Sequence, residues 1–243
     1  RSTRKESSAA SDVYKRQRET VRKRWGADAI ERFGIGYAPR DGFIEWAMRK
    51  GLDFDLLEQV GLIGIGERGK YAMLRDRYTI PIYDKMSNVI GFTARTMSDD
   101  KDICKYLNLK NSLVYAKDKS VFGINFAQKE ARLKNKFYLV EGAPDVVKLQ
   151  SLEILNTVAS LGGAWTENQL KQLYHISHTV TFIPDADTLK PGNEWPAGTA
   201  NVFANGREAL AAGFTVNVRE IPIDYPAPKK EDPGLLTGRI FSR

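Results

Sequence analysis

Three carboxylates stand just beyond the ends of two apolar runs. Residues 137–140 (FYLV) lead into Glu141, and residues 180–183 (VTFI) lead into Pro184, Asp185, Ala186 and Asp187. Short runs rich in β-branched and aromatic residues, each followed by a helical pattern, predict parallel strands of an α/β sheet, and ligands of such sheets bind beyond the carboxyl ends of the strands. Glu141, Asp185 and Asp187 are therefore expected at one rim. Crowded carboxylates repel each other, and a hard divalent cation with oxygen ligands, Mg²⁺ first among them, offsets the repulsion. The chemistry such a site supports is that of phosphate groups.

The elements that must hold these residues fall into two textures. Helical patterns cover 20–33, broken at Gly26, then 43–50 and 54–60, closed by Gly51 and Gly61. Residues 77–83 (RYTIPIY) and 89–96 (VIGFTART) read as strands joined by a hairpin-type turn over 84–88, with Pro81 pointing to an edge position. Residues 101–120 read as irregular and 122–134 as a helix. Beyond residue 136 the alternation is regular: strands at 137–140, 156–159, 179–183 and 214–221, helices at 145–152, 167–174 and 197–212. The expected fold class is α/β, an α+β N-terminal subdomain over 18–136 followed by an α/β domain with a mainly parallel sheet over 137–234.

Charge divides along the same line. The net charge is +7. Residues 68–136 hold fifteen Lys/Arg against seven Asp/Glu, whereas residues 137–243 hold nine against twelve. A basic segment beside an acidic one suits a polyanion gripped next to bound metal ions. One cysteine, Cys104, and two histidines, His175 and His178, cannot assemble a disulfide framework or a zinc site, so no zinc is expected in this chain. No apolar stretch approaches the length of a membrane span, and a cytoplasmic protein with no membrane partner is expected. Residues 1–17 lack hydrophobic periodicity and read as a non-native leader.

The motifs carry a resemblance. Glu141-Gly142-Ala143-Pro144-Asp145-Val146-Val147, then Thr157-Val158-Ala159-Ser160-Leu161-Gly162, then Asp185-Ala186-Asp187, are similar to a Toprim domain, the metal-binding module of bacterial primases, topoisomerases and some nucleases. Upstream, Glu31-Arg32-Phe33-Gly34-Ile35-Gly36-Tyr37-Ala38-Pro39, Arg75-Asp76-Arg77, Gly91-Phe92-Thr93-Ala94-Arg95 and Lys105-Tyr106-Leu107-Asn108 resemble, in order, the RNA-polymerase core of bacterial DnaG-type primases, with Lys117 and Phe122-Gly123-Ile124 continuing the match. The upstream part discriminates, because topoisomerases share only the Toprim segment.

The resemblance implies a nucleotidyltransferase that makes short RNA primers on single-stranded DNA from ribonucleoside triphosphates. It implies Glu141, Asp185 and Asp187 as catalytic residues, these three with Asp232 as ligands of Mg²⁺, for which Mn²⁺ can substitute, and Asp145, Gly142 and Gly162 as supporting residues. Arg32, Arg75, Arg77, Arg95, Lys105, Tyr106, Asn108 and Lys117 would contact template or nucleotide. A replicative helicase would be met only through regions outside this chain, which reads as a fragment with a truncated tail at 235–243.

Two departures stand out. The family pattern has a second acidic pair, Asp-Pro-Asp, where this chain has Asp232-Pro233-Gly234 preceded by Glu231, so the number of metal ions stays open. Residues 188–196 read as an inserted loop. Taken singly, Glu141 is explained as an acidic residue in a helix first turn and Asp185-x-Asp187 as a turn. A Toprim nuclease and a catalytically decayed single-strand-binding module are the competing readings.

Overall fold

The computed structural model describes residue 19 and residues 21–23, 25–96, 98, 100, 102–185, 192 and 194–219. Asp187, Asp232, the leader over 1–17, the tail over 235–243 and most of the segment 188–196 lie outside the described residues.

In chain order the elements are α1 (Ala27–Phe33), β1 (Gly36–Ala38), α2 (Phe43–Arg49), α3 (Phe54–Gln59), β2 (Ile63–Gly66), β3 (Gly69–Ala72), β4 (Arg77–Tyr83), β5 (Val89–Thr96), β6 (Tyr106–Asn108), α4 (Ile124–Lys134), β7 (Phe137–Val140), α5 (Ala143–Ser151), β8 (Thr157–Ala159), α6 (Glu167–Tyr174), β9 (Thr179–Phe182), α7 (Ala197–Ala211) and β10 (Thr215–Val218). Strands β1-β4-β5-β6 form an antiparallel sheet, β10-β9-β7-β8 a parallel one, and β2-β3 a separate hairpin. The expected mixed α/β class is the observed one.

Period-two alternation explains how the parallel sheet is covered on both faces. Phe137, Leu139, Val158, Val180 and Phe182 point to one side, into a core completed by α4, α6 and α7. Val140, Ala159 and Ile183 point to the other, into a core shared with α1, α5 and the β4 residues Tyr78, Ile80 and Ile82. The second core therefore joins the two sheets directly. Helix α4 precedes the expected boundary at 136 yet packs on the parallel sheet, and Phe122 bridges to Ala159. Asn135 ends α4 in the left-handed conformation, φ 45°, and turns the chain into β7.

The structure revises three readings. Residues 101–120 are not wholly irregular, because β6 pairs with β5. Strands β1, β2 and β3 are additions to the elements expected from the sequence. Pro81 lies in β4, an interior strand paired on both sides. It is tolerated there because β1 pairs only with residues 77–79 and has ended before Pro81.

Tyr115 lies in the core shared by both sheets, 1% exposed, and its hydroxyl has no hydrogen-bond partner among the described residues. Burial pushes its pKa up to about 12. A folded pKa above the unfolded value of roughly 10 means the neutral ring stabilises the fold fully below pH ~10, and that contribution is lost as pH rises toward ~12. Tyr115→Phe is expected to leave stability at pH 7 unchanged or raised by about 1 kcal/mol, since it removes an unsatisfied polar atom. Its advantage over the parent should widen by about 2–3 kcal/mol between pH ~10 and ~12. Denaturant titrations of both proteins across that range check it; parallel curves would refute the account.

Candidate metal and nucleic-acid site

The carboxyl ends of the neighbouring strands β7 and β9 set the acidic rim. Leu139 pairs with Phe182, so Glu141 and Asp185 follow two and three residues beyond neighbouring strand ends. Asp145, buried in the first turn of α5, accepts the Gly142 N–H at 3.1 Å and fixes the turn that carries Glu141. Pro144 fits the helix start, where no N–H is needed.

Helix α7 closes the rim from above. A Cβ on Gly198 would fall 2.5 Å from the Asp185 carbonyl oxygen and 3.2 Å from its nitrogen, an approach only glycine permits. One turn on, Asn201 Nδ2 donates to Glu141 Oε1 at 3.4 Å. A further turn on, Asn205 accepts the Trp165 N–H at 2.8 Å and donates to the Gly163 carbonyl at 2.7 Å. Sequence reasoning missed these three residues. Their spacing of three and four on one helix face was the available signal.

The loop after β8 is the rim's other wall, and the basic side of the molecule reaches it there. Leu161 adopts φ 63°, unusual for a bulky residue. Its carbonyl accepts from Asn108 Nδ2 at 3.3 Å. Lys117 lies against Gly162, where a Cβ would come within 2.8 Å of its Cε and 2.9 Å of its Nζ. Buried Gln169 ties the segment down, donating to the carbonyls of Lys117 at 3.0 Å, Ser120 at 2.8 Å and Ser160 at 3.2 Å.

The remaining cationic residues divide into two places. Arg95 stands 5.7 Å from the Tyr106 ring, itself 37% exposed, and Arg77, buried, donates to the Lys105 carbonyl at 3.3 Å. Arg75 and Arg77 line an open cavity of about 570 Å³. Arg32 is elsewhere, stacked 5.1 Å over Phe126 and lining a hollow with Lys148 and Glu153.

Among the described residues no group of three His, Cys, Asp or Glu side chains converges. Of the expected set, Glu141 and Asp185 are described, and Asp187 and Asp232 lie outside the described residues. Two carboxylates on adjacent strand ends, with one helix packed closely over both, suit a hard, oxygen-liganded dication.

Fold and rim together define a class: an α/β core whose parallel sheet presents carboxylates beside a cationic antiparallel sheet. A family model for the DNA primase catalytic core, N-terminal domain, matches residues 4–128, starting within the segment expected to be a leader. The DNA primase of Clostridium acetobutylicum is 33% identical over 195 residues, 79% of this chain and 31% of that protein. The Aquifex aeolicus primase (zinc-binding and RNA polymerase domains) superposes with a TM-score of 0.77 at 29% identity, covering 89% of this chain and 50% of that one. A DnaG primase catalytic domain bound to single-stranded DNA gives 0.75 at 29% identity, covering 90% and 66%. The chain belongs to the bacterial DnaG-type primase family and matches its catalytic core. It spans about a third or less of the length of the curated relatives it matches.

Proposed function

We propose that this chain is the catalytic part of a primase, synthesising short RNA primers on single-stranded DNA from ribonucleoside triphosphates. The observation that carries the reading is that Glu141 and Asp185 follow the carboxyl ends of two neighbouring strands, at a rim that Asn108 and Lys117 reach from the basic sheet. A DnaG relative bound to single-stranded DNA supports the choice of template.

Glu141, Asp185, Asp187 and Asp232 would hold Mg²⁺, or Mn²⁺ in its place, which would neutralise charge on the triphosphate and acidify the primer 3′-hydroxyl. The 3′-hydroxyl gives up its proton to water as its oxygen bonds the α-phosphorus, the bond from that phosphorus to the oxygen bridging the α- and β-phosphates breaks, and pyrophosphate leaves. The chain's own residues position the reactants. Asp145 and Asn201 orient Glu141, and Gly198 keeps α7 close over Asp185. Lys117, Arg75, Arg77 and Arg95 attract phosphate, with Arg32 and Lys105 adding charge, while Tyr106 offers a ring face on which a base can stack. The supporting role of Gly162 is to leave room for Lys117 beside the loop after β8.

Labelled ribonucleotide incorporation on a single-stranded template, with Mg²⁺ or with Mn²⁺, tests the proposal. Metal-dependent primer formation that stops when EDTA is added is expected. Template cleavage without incorporation would instead establish a nuclease, and binding without either reaction a non-catalytic module.

A further inference from the structure

The cavity holding Arg75 and Arg77 has a third arginine that no motif pointed to. Its described lining is Arg40, Arg75, Asp76, Arg77, Thr96, Ser98 and Ile103, three guanidinium groups against one carboxylate. Each guanidinium is held by a different contact. Arg75 stacks 5.4 Å over the Tyr71 ring, Arg77 donates to the Lys105 carbonyl, and Arg40 Nη1 lies 3.9 Å from Asp76 Oδ2.

Asp76 is itself fixed. Its backbone is left-handed, φ 51°, and its other carboxylate oxygen accepts from the Tyr37 hydroxyl at 3.0 Å. Tyr37 lies in β1, which pairs with the start of β4, and Arg40 follows two residues after β1 ends. The short strand β1 thus brings Tyr37 and Arg40 to Asp76 between the two arginines already in the cavity. As a source of stability this contact counts for little: both partners are largely exposed, 78% and 51%, and such pairs contribute roughly 0–1 kcal/mol. Three arginines lining one open hollow suit the bidentate geometry of phosphate oxygens instead.

We propose that Arg40, aimed by the Tyr37–Asp76 pair, is a third phosphate ligand of this cavity. The ligand chemistry is a phosphate oxyanion, from the backbone of a single-stranded nucleic acid or from a nucleoside triphosphate. The inference rests on the proposed primase function.

The test compares Arg40→Ala with Arg49→Ala in the full chain. Arg49 sits in the last turn of α2, outside the cavity, so its loss changes the net charge equally. Affinity for a labelled single-stranded oligonucleotide is measured across salt concentrations, and affinity for a ribonucleoside triphosphate is measured separately without template. Arg40→Ala is expected to weaken one of the two by about tenfold beyond Arg49→Ala. For a nucleic-acid phosphate the slope of log affinity against log salt also falls by about 0.7, and which arm responds identifies the source. Equal effects of the two substitutions in both arms overturn the inference alone. A parent chain that binds neither ligand overturns the primase reading with it.

Discussion

Asp185→Asn and Glu141→Gln are each expected to lower metal-dependent primer synthesis by about 10²–10³-fold while leaving the fold intact. Both substitutions keep side-chain shape, and the amide oxygen that replaces the Glu141 carboxylate can still accept from Asn201. What they remove is negative charge at the ends of β7 and β9, which a dication needs. The same charge is a burden on the metal-free protein, because two carboxylates on adjacent strand ends repel. In EDTA the variants should therefore melt at the parent temperature or slightly above it. Incorporation assays beside thermal melts separate the two effects; activity within about threefold of the parent would place the metal elsewhere.

Gly198→Ala should do the opposite to stability. In an ordinary helix Gly→Ala is favourable by about 1 kcal/mol. Here the new Cβ would stand 2.5 Å from the Asp185 carbonyl oxygen and 3.3 Å from Pro184 Cβ, and backbone cannot rotate out of the way as a flexible side chain does. Helix α7 must move outward, at a cost of roughly 1–3 kcal/mol. Because Asn201 rides on the same helix, the displacement also withdraws the donor from Glu141. A stability loss in urea accompanied by at least a roughly tenfold fall in primer synthesis is expected. A variant as stable and active as the parent would show that the close approach has no consequence.

How much of this was legible beforehand follows from the range of the interactions. Strands β4, β5 and β7 and helix α6 match their sequence readings at both ends, because each is a run rich in β-branched and aromatic residues or a 3.6-residue apolar period with clear terminal signals. Strands β1, β2 and β3 leave little trace in the sequence: they are three or four residues long and carry Gly36, Gly64, Gly66 and Gly69, which weaken strand propensity. Strand β6 is hidden in a polar stretch and exists because β5 offers it an edge. The placement of Glu141 and Asp185 at strand ends was readable because strand ends are local features. Asn201 and the Tyr37–Asp76–Arg40 group were not, since those contacts join residues about 36 to 60 apart in sequence.

The core that runs from Trp25 through Tyr78, Ile80 and Ile82 to Val140, Val146 and Ile183 has a further consequence. It makes the two halves of this chain interdependent. Were the chain severed after residue 136, α4 would leave with the first half and strip one face of the parallel sheet, while Tyr78, Ile80 and Ile82 would lose the surface they cover. Neither piece would keep a sealed interior, so wherever the acidic half is used without this N-terminal half, another surface must cover that seam.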